Sequence, residues 1–221
     1  MIRYRRLNIA MGMLLSFSLI CSGCATFSAS QLPQRSIFSY ANRHEYGDLI
    51  VAAEDYYTRE KTTAYFDTDL TKRYVVPIFL VVSNMGENEH ALDVGSFRLS
   101  ASNLSGEIAP MSSEDVAKKI KRGTFWRTLG WCMIVPIVAI PATAIGSGVH
   151  TSNVNRKAKM DVCAKGFWNR TGIGPKETIR GVLFFDVRKD KVRELVNPRI
   201  KGELLSSDGT RVEISLDLSE D

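Results

Sequence analysis

Catalytic chemistry is what this sequence most lacks. Its 221 residues include three histidines, His44, His90 and His150. None has a nucleophile or metal-ligand partner at an informative spacing, and each reads as a solvent-exposed side chain. No phosphate-binding glycine loop is present, because Gly172-x-Gly174 is too short and opens no helix. Asp67-x-Asp69 could begin an oxygen-ligand loop, but the glycine and distal glutamate of a calcium site are missing, and capping of a helix that starts there is the better reading. Glu54/Asp55 and Glu87/Glu89 are acid pairs of the kind loops leave in solvent, whereas a catalytic pair needs a cleft and displaced pKa values. No catalytic residue, cofactor or metal site is assigned. The chain reads as a non-enzyme, with an enzyme carrying an unrecognised site as an alternative.

Cysteine is scarce as well, with four in the chain, and the position of one of them is informative. Arg3, Arg5 and Arg6 precede an apolar stretch from Ile9 to Ile20 that has Ser16 and Ser18 as its only polar side chains. That is the pattern of a secretory signal, not of a fold element. Leu7-Asn8 continues Arg5-Arg6 poorly as a twin-arginine signal. Ile20-Cys21-Ser22-Gly23-Cys24 then sets small residues before a cysteine, which gives a peptidase access to the bond ahead of it. This resembles the lipobox of bacterial lipoproteins, with Cys21 standing where leucine is usual. The resemblance implies a signal peptide over 1–23, cleavage before Cys24 and lipid on that thiol. Two or three acyl chains at about 0.8 kcal/mol per buried methylene would hold the chain stably on a membrane. Ala25 is not the aspartate of an inner-membrane retention signal, so the resemblance implies an outer-membrane location facing the periplasm. An ordinary cleaved signal and an uncleaved anchor helix are the alternatives.

Cleavage leaves 198 residues, enough for one domain with a substantial core. It removes three arginines, so Lys+Arg falls from 29 to 26 against 24 acids, a net charge of +2. A nucleic-acid partner loses its main support. Cys132 and Cys163 remain besides Cys24, and a disulfide and a pair of buried thiols are both open to them.

Along the mature chain, 24–43 is polar and aperiodic, as a lipidated tether would be, and a domain is expected over 44–221. Gly47–Tyr57 is open to a strand or a short helix, with a strand the preferred reading. Tyr74–Asn84 is the strongest strand signal, rich in β-branched and aromatic residues, with Pro77 implying an edge position or a ladder that begins after it. Met85–Glu89 is expected to be a hairpin connection, with Ala91–Ser100 returning through Val94, Phe97 and Leu99. Ile173–Glu177 is a turn and Thr178–Val187 a nearly continuous apolar strand. Arg199–Leu205 and Thr210–Leu218 flank an Asp208-Gly209 tip, and the second of them alternates buried Val212, Ile214, Leu216 and Leu218 with polar neighbours.

Five or six strands in two antiparallel blocks predict a mainly β protein, a β-sandwich. Pro77–Asn84 with its glycine turn, Gly174-Pro175, and Gly181-Val182-Leu183-Phe184-Phe185-Asp186 resemble the immunoglobulin-like domain of exported bacterial lipoproteins of unknown function. The resemblance covers about 110 of the 198 mature residues and implies a fold and an exported module, not an activity.

Between the blocks lies a helical, partly apolar insertion at about 111–166. Ser112-Ser113-Glu114-Asp115 reads as a helix start, and Val116–Trp126 continues it. Trp131–Val149 is uncharged for 19 residues but broken by Pro136 and Pro141; Asn153–Lys165 reads as a return helix. One span would put the two β blocks on opposite sides of a membrane, so a broken helical hairpin is expected, either packed on the sandwich or dipping into lipid. Lys118, Lys119, Lys121 and Arg122 with Phe125, Trp126 and Trp131 form the candidate membrane-contacting set. These features predict a lipid-anchored, non-enzymatic binding or scaffold module with an envelope protein as partner. The alternative is a membrane-inserting or oligomeric component using 123–149.

Overall fold

The computed structural model describes residues 27–120, 140–167 and 170–218. Among these the fold is mainly β, with two antiparallel sheets and a layer of helices. The first sheet has the order β1 (Arg43–Tyr46), β2 (Leu49–Asp55), β3 (Val75–Asn84), β8 (Thr178–Asp186), β6 (Pro110–Met111). The second has the order β10 (Arg211–Asp217), β9 (Arg199–Ser206), β4 (His90–Asp93), β7 (Arg170–Ile173), and β5 (Arg98–Ser100) pairs with β9 beyond the end of β4.

Alternation places the core. From β3, Val76, Ile78, Leu80 and Val82 face Leu92, Phe97, Leu99, Ile200, Leu204, Ile214 and Leu216 of the second sheet, while Val75, Phe79 and Val81 face the helices on the other side. Every residue of β3 is therefore buried, which accounts for its unbroken apolar reading where a strand with one wet face would alternate.

Pro77 is not at an edge. β3 lies between β2 and β8, and Pro77 pairs in register with Phe184. On the β2 side the register begins at Ile78, opposite Asp55, and just past it the Pro77 carbonyl accepts from the Tyr56 amide at 3.0 Å. The missing N–H thus falls where β2 ends and costs only a last rung. Nor is Met85–Glu89 a hairpin within one sheet. It carries the chain across from β3 to β4, held by the buried Asn84, whose side-chain amide donates to Asn88 O at 2.6 Å and Gly174 O at 3.0 Å.

Among the described residues three α-helices cover the first sheet. α1 (Arg59–Phe66) starts with Thr58, whose hydroxyl accepts from the Lys61 amide, and ends at Asp67 in the left-handed region at φ 51°. Asp67 therefore closes a helix where the sequence predicts the start of one; Asp69 holds the turn after it, accepting from Thr71 and the Lys72 amide. α2 (Ser113–Ile120) is opened by Ser112, whose Oγ accepts from the Asp115 amide at 3.1 Å. α3 (Ile140–Lys165) runs for 26 residues, about 39 Å; of the stretch expected to break, 140–149 is helical, and 131–139 with Pro136 lie outside the described residues. Pro141 stands in its first turn, where no N–H is required.

Residues 24–43 were expected to be a tether, yet the packed structure starts inside them. Ile37 and Tyr40 are buried in the helical-side core, and Phe27 and Leu32 pack against it. Ser30 N–H donates to Ala64 O at 2.8 Å. A polar composition hid four well-spaced apolar side chains.

Candidate functional site

An open cleft of about 690 Å³ lies between the β5–β6 connection and the β8–β9 connection. Hydrogen bonds to and from the backbone shape both walls. Asn103 acts as a strand in miniature, its Nδ2 donating to Glu194 O at 2.8 Å and its Oδ1 accepting from Val196 N at 3.1 Å. The Ser105 amide donates to Asp190 Oδ1 at 3.1 Å. Behind the β8–β9 connection, the Tyr57 hydroxyl donates to Val192 O at 2.7 Å, and burial pushes that phenol above its ordinary range.

The charged groups of the cleft neutralise one another. Asp186 accepts from Arg188 Nε at 3.1 Å and Nη2 at 2.9 Å, and Lys119 Nζ of α2 lies 2.6 Å away. Burial works to raise the Asp186 carboxyl, but the Arg188 guanidinium and the Lys119 ammonium outweigh it and hold the group below the usual carboxylate range. Glu107 has Lys201 at 3.9 Å. A general acid near neutral pH needs a raised carboxyl, and Asp186 is shifted the other way. What the cleft offers is a polar concavity with Arg188 and Lys189 exposed at its rim. Its volume lies in the range of ligand pockets.

Of the described residues in the sequence-predicted set, Lys119 reaches the cleft and the others fall elsewhere. Lys118 is exposed and paired with Asp115 at 2.7 Å. Lys119, only 15 % exposed, is turned to Asp186. Cys163 is half-buried on α3 and is without a disulfide partner among the described residues, which include no other cysteine. Cys24, Lys121, Arg122, Phe125, Trp126, Trp131 and Cys132 lie outside the described residues. His44 is exposed, but His90 is half-buried with Nδ1 enclosed and without a hydrogen-bond partner among the described residues. Glu54 bridges Arg35 at 2.5 Å and Lys61 at 3.1 Å, and Glu87 meets Lys176 at 3.1 Å. Among the described residues no three metal-binding side chains gather, and no helix is long and apolar enough to cross a membrane. The cleft itself has no sequence signature, because its walls come from two loops more than 80 positions apart, joined by hydrogen bonds such as that from the Ser105 amide to Asp190.

No protein-family model matches the chain, and no curated protein matches it in sequence. Among solved structures, the yjhA protein from Bacillus subtilis is similar at 10% identity, over 74% of this chain and 78% of that one, with a TM-score of 0.34. At that level the likeness carries no argument about activity or descent.

Proposed function

We propose that the protein is a lipoprotein anchored through Cys24, in the outer membrane and facing the periplasm, whose domain is a non-enzymatic module binding another envelope protein. The carrying observation is the cleft at the β5–β6 and β8–β9 connections: its carboxylates are engaged, and its rim presents Arg188 and Lys189 to solvent. Such a site suits an acidic loop held by charge and shape better than a substrate awaiting proton transfer. The assignment as an immunoglobulin-like sandwich belongs to the same proposal. It is supported by two antiparallel sheets sharing one core, and inter-strand NMR contacts that set the strands in an order other than a Greek key would remove it.

A photo-crosslinking residue placed at Lys189 in the full chain, expressed at its normal level, should give a discrete protein adduct that Arg188→Glu abolishes. The same residue at Lys176, exposed in the turn before β8 and so at the opposite end of that strand from Asp186, should give none. Equal adducts at both positions would remove the cleft as the site. The anchor is tested separately by the mass of the mature N-terminal peptide, which should begin at an acylated Cys24.

A further inference from the structure

A chain anchored at Cys24 has very little slack. Phe27 already packs on the domain, and Ser30 is hydrogen-bonded to the carbonyl of Ala64 in the last turn of α1 at 2.8 Å. Three residues of fully extended chain reach about 10 Å. The acyl chains must then enter the bilayer close to the point where Phe27 docks, and the domain cannot stand off from the surface as a twenty-residue tether would allow.

The end of α3 meets the same turn of α1. The Lys165 ammonium donates to the carbonyl of Tyr65 at 2.6 Å and to Asp161 at 2.7 Å. The neighbouring carbonyls of Ala64 and Tyr65 therefore receive the N-terminal segment and the C-terminal end of α3 side by side. From there α3 presents a face to solvent. Val154, Ala158 and Val162 turn inward, whereas Asn153, Arg156, Lys157, Met160 and Ala164 are exposed, on the opposite side at helical spacing. Met160 is 65% exposed, the most exposed of the large apolar side chains described. Lys159 is exposed at the border, and residues 152–160 contain no acid. The acid that follows, Asp161, is occupied by Lys165.

We propose that this face of α3 rests on the bilayer, with Arg156 and Lys157 at anionic phospholipid headgroups and Met160 entering the interface, so that Cys24 and α3 together fix the orientation of the domain. The inference rests on the lipid-anchor reading. It is independent of the cleft, and it uses residues other than the candidate membrane-contacting set of the insertion. Basic side chains around an exposed apolar one are the composition that anionic surfaces attract. The layer order sets Lys201, on the outer face of the second sheet, on the far side of the molecule.

Lysine footprinting with a water-soluble acylating reagent tests this. The full-length lipidated protein would be reconstituted in vesicles of phosphatidylethanolamine and phosphatidylglycerol, and the reference would be the Cys24→Ala mature chain, free of vesicles and checked for unchanged β content. Lys157 and Lys159 should react about fivefold more slowly on vesicles, while Lys201 and Lys191 keep their rates. Arg156→Glu/Lys157→Glu in the lipidated protein should restore the rate at Lys159, which keeps the test usable if the reference chain folds poorly. Unchanged protection in all four lysines, with the N-terminal peptide acylated, overturns the orientation and leaves the anchor standing. An N-terminal peptide without lipid overturns the anchor and the orientation with it, and the two failures are told apart by that mass.

Discussion

The hydroxyl of Tyr46 on β1 donates to the carbonyl of Ser215 on β10 at 2.8 Å and accepts from the Ser215 amide at 3.0 Å. One side chain thereby joins the edge strand of the first sheet to the edge strand of the second. It satisfies backbone groups that an open edge would offer to another chain.

Tyr46→Phe removes both bonds while keeping the ring. It should lower stability by about 1–2 kcal/mol, read as a shift of the urea midpoint without change of slope, and the Ser215 amide should exchange faster. An unchanged exchange rate at Ser215 would show that the edge closes by other means.

Asp186 should set part of the acid stability. Its carboxyl is depressed in the folded state by Arg188 and Lys119 against the opposing effect of burial, so its contribution is complete above the unfolded value, about 3.8, and is lost as pH falls through the lower folded value. Asp186→Asn should cost about 1 kcal/mol at neutral pH and make the loss of stability below about pH 4 shallower. Parallel pH–stability curves for the two proteins would contradict this.

Gly202 on β9 lies beneath the ring of Phe97, and a Cβ there would stand 2.5 Å from the ring. Phe97 is fully buried and cannot swing away. Gly202→Ala should cost about 2 kcal/mol, whereas Gly172→Ala, with nothing within 4 Å of its Cβ position, should change the thermal midpoint little.

Phe79 is the hinge of the aromatic packing beneath the helices, with ring centroids 5.5 Å from Tyr56 and 6.1 Å from Tyr40. Phe79→Ala should cost about 3–5 kcal/mol and loosen the 27–40 segment before the sheets, seen as proteolytic cleavage near Arg35. Cleavage that tracks global unfolding would argue that the segment and the sheets melt together.

The β9–β10 hairpin was fully legible, because its residues alternate and Gly209 takes φ 86° at the tip. β3 could be read as a strand but not placed: burial on both faces erases the alternation that would say which side is wet. α1 was missed because Arg59–Phe66 buries only Thr62 and Phe66, too thin a stripe to show helical periodicity. The crossing at Met85–Glu89 looks like a hairpin in sequence, since what sends it to the other sheet is Asn84 gripping Gly174 from 90 positions away. The cleft arises from loop contacts of the same long range.

The pairing of β3 with β8 joins Val75 to Asp186 and Ser83 to Thr178, so the central strand receives its second neighbour only after a long stretch of chain has arrived. Closing so distant a contact is slow on topological grounds. Under the export proposed above, N-terminus first, the chain would stay without its core until the later β block emerged. Any processing at the leading end would therefore act on an unfolded chain, and β3, apolar on both faces, would be the segment most in need of a chaperone during that interval.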